Sequence, residues 1–178
     1  GNYNTSANYF ERFLATGGSK GIELNTRNDA IARLGDSYFS AKNYGKAMEQ
    51  YDRLINAKAA SQDYALFQRG IIQGLQGNNE GKIATLKSVI AKYPSSNYAD
   101  DVSFEIPYTY FLMGQSDQAI SGLQTMVEKY PRSSYVPRAL VTIGLVQYNQ
   151  DNNEAALKTF QHVVDQYATT DEAKQAMR

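Results

Sequence analysis

The residues that could carry acid-base, metal or nucleophilic chemistry are few and scattered along this sequence. His162 is the only histidine, and it lies mid-helix by periodicity, without a local partner for a metal site or a Ser-His pair. The chain contains no cysteine, which excludes disulfides, thiolate metal sites and a cysteine nucleophile. We therefore favour a structurally neutral His162 over a metal ligand, and we predict a protein without an active site, metal or cofactor.

The acidic and glycine-rich motifs lead to the same expectation. Asp100 and Asp101 fall at a predicted helix start, where negative charge suits the helix dipole, and we favour this role over general acid-base catalysis. Gly17-Gly18 lacks the spacing and the Lys-Ser of a phosphate-binding loop. The 18 Lys and Arg residues balance the 18 Asp and Glu residues without forming a basic run, so nucleic acid is not an expected partner. No apolar stretch is long enough to predict membrane insertion.

An internal repeat is the dominant feature of the chain. Lys92-Tyr93-Pro94 returns 37 residues later as Lys129-Tyr130-Pro131, and a degraded copy, Gln166-Tyr167-Ala168, follows after another 37. Such a period indicates supersecondary units that bury their apolar faces against one another. The sequence therefore predicts one solenoid over residues 1–178, which binds through a surface rather than in a deep pocket.

Apolar residues recur at helical spacing in paired segments. Gly77, Gly114 and Asp151 mark the turns inside successive pairs, while Pro94 and Pro131 stop the second helices. Serines after each proline are expected to cap the next helix. The predicted pairs are 28–42 with 44–57, 62–76 with 79–92, 97–113 with 116–130, and 134–149 with 152–167. The corresponding units span about 28–60, 61–94, 95–131 and 132–168, with half-units at 1–14 and 169–178.

Small residues set the register between paired helices. A small position in the second helix is occupied by Ala47, Ala119 and Ala156, but by Lys82 in the second unit. A glycine precedes it in the first helix, except in the third unit, where Pro107 takes the glycine's place. We expect looser helix contact at Lys82. Near Pro107 we expect a kink or local unwinding, because proline removes a helical hydrogen bond.

These residues resemble the tetratricopeptide repeat family. Leu34-Gly35-Asp36-Ser37-Tyr38 with Ala47 and Tyr51 is a good copy of its pattern, and Ile143-Gly144 with Ala156 and Phe160 is another. The resemblance implies an all-α, right-handed solenoid of antiparallel helix pairs that acts as a protein interaction scaffold. The phrases around 92–98 and 129–135 resemble a longer variant found in bacterial outer-membrane-assembly lipoproteins and the periplasmic partner of the Tol-Pal system. That subgroup implies a periplasmic or cell-envelope location, with the cytoplasm as the alternative.

In such a solenoid the first helices line a concave groove, which we expect to bind a peptide or helix segment of a partner protein. The family's carboxylate clamp is missing, since its positions hold Ala32, Phe67, Phe104 and Val141. An aromatic strip with an acidic edge is predicted instead. For any single aromatic residue, packing between neighbouring helices is the competing interpretation. The candidate groove residues are Asp36, Phe39, Phe67, Phe104, Glu105, Tyr108, Phe111, Arg138 and Tyr148.

A rival function is glycan or cell-wall binding, with Tyr64, Tyr108 and Tyr148 stacking on sugar rings.

Both ends of the sequence resemble half-units cut from a longer array, so we expect Phe10 and Phe13 to be partly uncovered and to favour self-association. The stretch 15–21 is expected to be a flexible connection.

Overall fold

The computed structural model describes residues 3–17 and 23–177, and all its regular elements in that part are helices. The bounds of these helices agree with the predicted pairs within a few residues. The largest difference is in α2, which begins at Leu24 and not at residue 28. Residues 15–17, expected to be flexible, belong to α1, whereas 18–21 lie outside the described residues. The helices are α1 Tyr3–Gly17, α2 Leu24–Ser40, α3 Tyr44–Asn56, α4 Gln62–Leu75, α5 Asn79–Lys92, α6 Ala99–Leu112, α7 Ser116–Lys129, α8 Val136–Asn149, α9 Asn153–Gln166 and α10 Asp171–Ala176.

The helices form two compact units, Gly1–Tyr93 and Pro94–Arg178. In the first unit, α2 pairs with α3 and α4 with α5, while α1 packs on α2. In the second unit, α6 pairs with α7 and α8 with α9, and the short α10 packs against α8 and α9. Each unit is thus built from antiparallel helix pairs, which confirms the predicted all-α repeat class. Within the described ranges, no helix combines the length and apolarity needed to cross a membrane.

The turns inside the pairs share one backbone geometry. Gly77 and Gly114 adopt positive φ values of 81° and 72°, and Asp151 adopts 59° at the equivalent place. In the α4–α5 turn, the Gly77 amide donates to Gly74 and the next amide to Gln73. The same two bonds recur at each of these turns. These bonds satisfy carbonyls that the helix end would leave unpaired. Each helix pair uses the same turn, so a residue suited to a positive φ recurs at the equivalent place in each repeat.

The junctions between pairs differ slightly from the prediction. The second helices α5 and α7 end two residues before Pro94 and Pro131, as expected. The hydroxyl of Ser133 accepts a bond from the amide of Tyr135 at 3.3 Å, but Tyr135 itself is the residue before α8 and caps it with no side-chain bond. The serines therefore stabilise the turn that leads into the helix, and their prediction as helix caps is wrong.

Glycines in the first helices meet large side chains of the second helices. A Cβ atom on Gly35 would lie 2.8 Å from the Tyr51 ring, and one on Gly144 would lie 2.5 Å from the Phe160 ring. Both glycines are buried, so the backbones approach as closely as a missing side chain permits. The predicted role of these glycines is confirmed.

The two irregular repeats keep their close helix contact. Lys82 is buried, and a Cβ atom on Gly74 would lie 2.7 Å from its Cδ, so its aliphatic stem fills the space that a second glycine leaves in α4. The expected loosening at Lys82 is wrong. Helix α6 continues through Pro107 to Leu112 without the local unwinding that we expected, and Pro107 packs against Gly122 of α7.

Candidate functional site

The first helices of the second unit, α6 and α8, bring aromatic and charged side chains together. Because the repeat is 37 residues long, Phe111 and Tyr148 occupy equivalent positions at the ends of these two helices. We call this surface the α6–α8 face. It consists of Asp100, Asp101, Phe104, Glu105, Tyr108 and Phe111 of α6, Tyr135 directly before α8, and Arg138 and Tyr148 of α8.

A stack of three rings lies at the centre of the α6–α8 face. Phe104 stacks between Tyr108, with ring centroids 5.3 Å apart, and Tyr135, with centroids 4.7 Å apart. Phe104 is completely buried, so its assignment to the exposed strip is wrong. Sequence reasoning missed Tyr135, which covers Phe104. The recurrence of tyrosine at 98 and 135 was the available signal.

Arg138 lies over the stack as a cation. Its guanidinium carbon is 4.6 Å from the Tyr108 ring centroid and 5.3 Å from that of Phe104. The ring faces attract the positive charge, by about 0.5–1 kcal/mol at an exposed site. Arg138 itself is exposed, so a predicted groove residue is accessible here. Arg138 and Phe104 thus both contact the ring of Tyr108 and restrain it.

Carboxylates gather around the hydroxyl of Tyr135. This hydroxyl donates to Asp101 Oδ1 at 2.8 Å, and the Ser133 hydroxyl donates to Asp100 Oδ2 at 2.7 Å. Burial raises the pKa of Asp101, and the neighbouring Asp100 adds to the effect. Burial also raises the pKa of Tyr135, together with the negative charges of Asp101, Glu105 and Asp100. The N-terminal half of α6 therefore carries a concentrated negative charge.

The other end of the face is apolar. Tyr108 and Phe111 are half-buried and their ring centroids lie 5.9 Å apart. Tyr148 is 61% exposed, which is unusual for an aromatic ring in a folded protein. Among the predicted groove aromatics of the second unit, these three rings remain accessible to a ligand, whereas Phe104 is buried.

The predicted groove residues of the first unit are more engaged with their own unit. Asp36 accepts hydrogen bonds from the hydroxyls of Tyr51, at 2.8 Å, and Tyr64, so one carboxylate links α2, α3 and α4. Phe39 is half-buried against Tyr44, with centroids 5.7 Å apart, and Phe67 of α4 is also half-buried. Asp36 therefore has a structural role in the first unit.

Chemistry other than binding finds little support in the described geometry. Within residues 3–17 and 23–177, His, Cys, Asp and Glu side chains form no group of three or more that could hold a metal ion. His162 is exposed on α9. The side chains that the structure brings together are rings, carboxylates and one arginine, which are groups that recognise another molecule.

Comparison with known proteins identifies the repeat. The tetratricopeptide repeat model matches residues 29–57, 64–96, 108–133 and 138–170, which together make up more than half of the chain. The chain belongs to the tetratricopeptide repeat family. The third match begins directly after Pro107, where this family member departs from the pattern by placing proline at the glycine position.

Solved structures share the fold of this tetratricopeptide repeat protein at low identity. MamA is 18% identical, with a TM-score of 0.73 over 99% of this chain and 92% of its own. A putative kinesin light chain of Podosopora anserina is 13% identical, with a TM-score of 0.73 over 95% of this chain and 89% of its own. YrrB, described as a tetratricopeptide repeat protein with an unusual peptide-binding site, is 17% identical, with a TM-score of 0.69 over 97% and 86%. The search of curated proteins found no match.

Proposed function

We propose that this protein is a non-catalytic scaffold that binds a peptide segment of a partner protein on its first helices, foremost on the α6–α8 face. The observation that carries the proposal is the pair of accessible rings of Tyr108 and Phe111, with centroids 5.9 Å apart, together with the exposed ring of Tyr148 at the equivalent end of α8. Aromatic side chains dominate the energy of most protein interfaces because they bury a large area at a small cost in conformational entropy. A peptide with apolar side chains would cover these rings.

The rings are held in place before a partner arrives. Phe104 is buried and Arg138 lies over Tyr108, so Tyr108 has little freedom left to lose on binding. Preorganisation of this kind increases affinity because less ordering cost accompanies association. YrrB, with its peptide-binding site, supports the idea that this fold can hold a peptide.

We further propose that the partner belongs to a bacterial cell-envelope assembly. The support is the resemblance of the repeated Lys-Tyr-Pro phrases and the 37-residue period to envelope members of the family. Fractionation of cells that produce the protein tests the location, since recovery in the cytoplasmic fraction alone would contradict it.

Glycan binding is the weaker alternative. Tyr148 is exposed enough to stack on a sugar ring. However, Tyr64 donates a hydrogen bond from its hydroxyl to Asp36 and lies edge-on to Tyr51. One of the three tyrosines on which that alternative depends is therefore engaged within the protein, and Tyr108 and Tyr148 are rings that the peptide proposal uses as well.

A selection from a random peptide library, followed by affinity measurements with synthetic peptides, tests the peptide proposal. We expect Phe111→Glu and Tyr148→Glu to weaken the selected peptides at least about tenfold, because a charge at a buried contact is costly. Leu157→Glu on α9 is the matched control, since Leu157 is 67% exposed outside the face. Unchanged binding by both face variants, or complete displacement of the peptides by soluble cell-wall fragments, would contradict the proposal.

A further inference from the structure

The α6–α8 face is divided into an apolar part and an acidic part along α6. Tyr108 and Phe111 lie in the C-terminal half of the helix, while Asp100 and Asp101 lie in its first turn. With a rise of 1.5 Å per residue, Asp101 and Tyr108 are about 10 Å apart along the helix axis. An extended peptide covers that distance with about three residues, at roughly 3.3 Å each. One short segment can therefore contact both parts.

The carboxylates in the first turn of α6 are bound by neutral hydroxyl groups. The partners that the structure gives to Asp100 and Asp101 are the hydroxyls of Ser133 and Tyr135, and a hydroxyl satisfies a carboxylate oxygen without neutralising it. Asp100 and Asp101 are both half-buried, where water screens their mutual repulsion incompletely. A cation brought by a ligand would relieve this repulsion.

Arg138, the basic residue of the face, contacts aromatic rings. Among the residues that define the face, Arg138 is the one cation, set against Asp100 and Asp101 in the first turn of α6. Its guanidinium lies over the rings of Phe104 and Tyr108. Arg138 therefore covers the ring stack, and it repels a second cation from that part of the face. The acidic part of the face, at the first turn of α6, therefore keeps an excess of negative charge.

We propose, on the basis of the proposed function, that the α6–α8 face selects peptides that carry a Lys or Arg side chain about three or four residues from an aromatic or aliphatic anchor. The anchor covers the rings of Tyr108, Phe111 and Tyr148. The basic side chain reaches Asp101 and its neighbouring carboxylates. Charge complementarity then decides which of many apolar peptides binds.

Three end-blocked fluorescent peptides test this selection. They share one Leu-Phe anchor and differ at a single position four residues away, which holds Lys, Gln or Glu. Fluorescence anisotropy gives the dissociation constants at low and high salt. We expect the Lys peptide to bind about threefold to tenfold tighter than the Gln peptide, as for one incompletely screened charge pair, and the Glu peptide to bind most weakly. High salt should reduce the differences.

Protein variants assign the preference to named carboxylates. Asp101→Asn keeps an oxygen acceptor for Tyr135 but removes the charge, and Asp100→Asn does the same for the hydroxyl of Ser133. We expect the double variant to bind the Lys and Gln peptides equally while its affinity for the Gln peptide is retained. Asp117→Asn, an exposed first-turn residue of the second helix α7, is the matched control and should leave the preference intact.

The possible outcomes distinguish a failure of the charge selection from a failure of the proposed peptide binding. Equal binding of all three peptides, lost in Tyr148→Glu, would overturn the charge selection and leave the peptide-binding function standing. Tighter binding of the Glu peptide would likewise overturn the charge selection. Failure of all three peptides to bind would overturn both. Dimerisation of the chain that Tyr148→Glu abolishes would make a second copy the occupant and would also overturn the inference.

Discussion

Pro107 of α6 packs directly against Gly122 of α7, so that a Cβ atom on Gly122 would lie 2.6 Å from the Cβ of Pro107. In the other repeats the glycine is in the first helix and the bulky residue in the second, as with Gly144 and Phe160. The third repeat reverses this arrangement. The missing side chain has moved to the partner helix, and the close approach of the two helices is preserved.

Substitution of Gly122 tests this reversal. A Cβ at this position meets a rigid proline ring, which cannot rotate away, so we expect Gly122→Ala to lower the free energy of unfolding by about 1–3 kcal/mol. Gly45→Ala is the matched control, because Gly45 is also helical but a Cβ there meets nothing within 4 Å. That variant should gain about 0.5–1 kcal/mol from reduced backbone entropy in the unfolded chain. Urea unfolding measures both.

A double-mutant cycle assigns the effect to the Pro107 contact. Adding Pro107→Gly removes the atom that the new Cβ meets, so Gly122→Ala should cost at least about 1 kcal/mol less in that background. Equal costs in both backgrounds would mean that the clash lies elsewhere.

The helix pairs could be predicted from the sequence because their signals are local and repeat at a fixed period. The irregular contacts could not, because they depend on pairs of residues. Lys82 and Pro107 were recognised as departures, yet their compensating partners, Gly74 and Gly122, are ordinary glycines within helical segments. Only the structure shows that each one faces its oversized neighbour. A departure from the family pattern therefore predicts a compensating change across the interface rather than a looser contact.

The turns allow two opposite substitutions at equivalent positions. Gly114 has a φ of 72°, so Gly114→Ala should destabilise the protein by about 1–2 kcal/mol, since a side chain is strained in the left-handed region. Asp151 already has a side chain in this region, with a φ of 59°, so Asp151→Gly should stabilise by up to about 1 kcal/mol. Thermal unfolding of the two variants and of their parent measures the shifts. Shifts of the same sign in both variants would contradict a shared turn geometry.

Asp36 illustrates how a predicted ligand contact proves to be structural. Asp36→Ala leaves the hydroxyls of Tyr51 and Tyr64 without their acceptor, and we expect a loss of about 1–3 kcal/mol in unfolding free energy. Asp36→Asn keeps an acceptor oxygen and should cost less. Asp29→Ala on the same helix is the control, because the Asp29 side chain is 61% exposed and its bond to Arg33 lies on the surface. Loss of stability in Asp29→Ala equal to that in Asp36→Ala would contradict this role.

The candidate site was only partly predictable for a similar reason. The helical register placed Tyr108, Phe111 and Tyr148 on one face, and all three are accessible to some degree. The same register placed Phe104 there, but Tyr135 covers it from a turn outside the helix. Periodicity describes which residues share a helix face. It does not describe what a connecting segment lays over that face.

Ionisation of the tyrosines gives a prediction about pH. Burial, followed by the hydrogen bond to Glu11, raises the pKa of Tyr38 to about 12 from an ordinary value of 10.0. Burial and Asp36 raise the pKa values of Tyr51 and Tyr64 as well. Folding therefore favours the protonated phenol. The resulting stability is fully present below the ordinary pKa and, for Tyr38, is lost as the pH rises through about 12.

An alkaline titration followed by phenolate absorbance measures this effect. Of the 14 tyrosines, Tyr38, Tyr51 and Tyr64 should ionise only above the ordinary range of a phenol or together with unfolding. Tyr38→Phe has no hydroxyl to ionise at this position. Between pH 10.0 and about 12, the wild type should therefore lose more stability with rising pH than this variant does. Circular dichroism at increasing pH gives the unfolding midpoints. If Tyr38→Phe and the wild type lost stability in parallel above pH 10, the contact between Tyr38 and Glu11 would have no part in the alkaline transition.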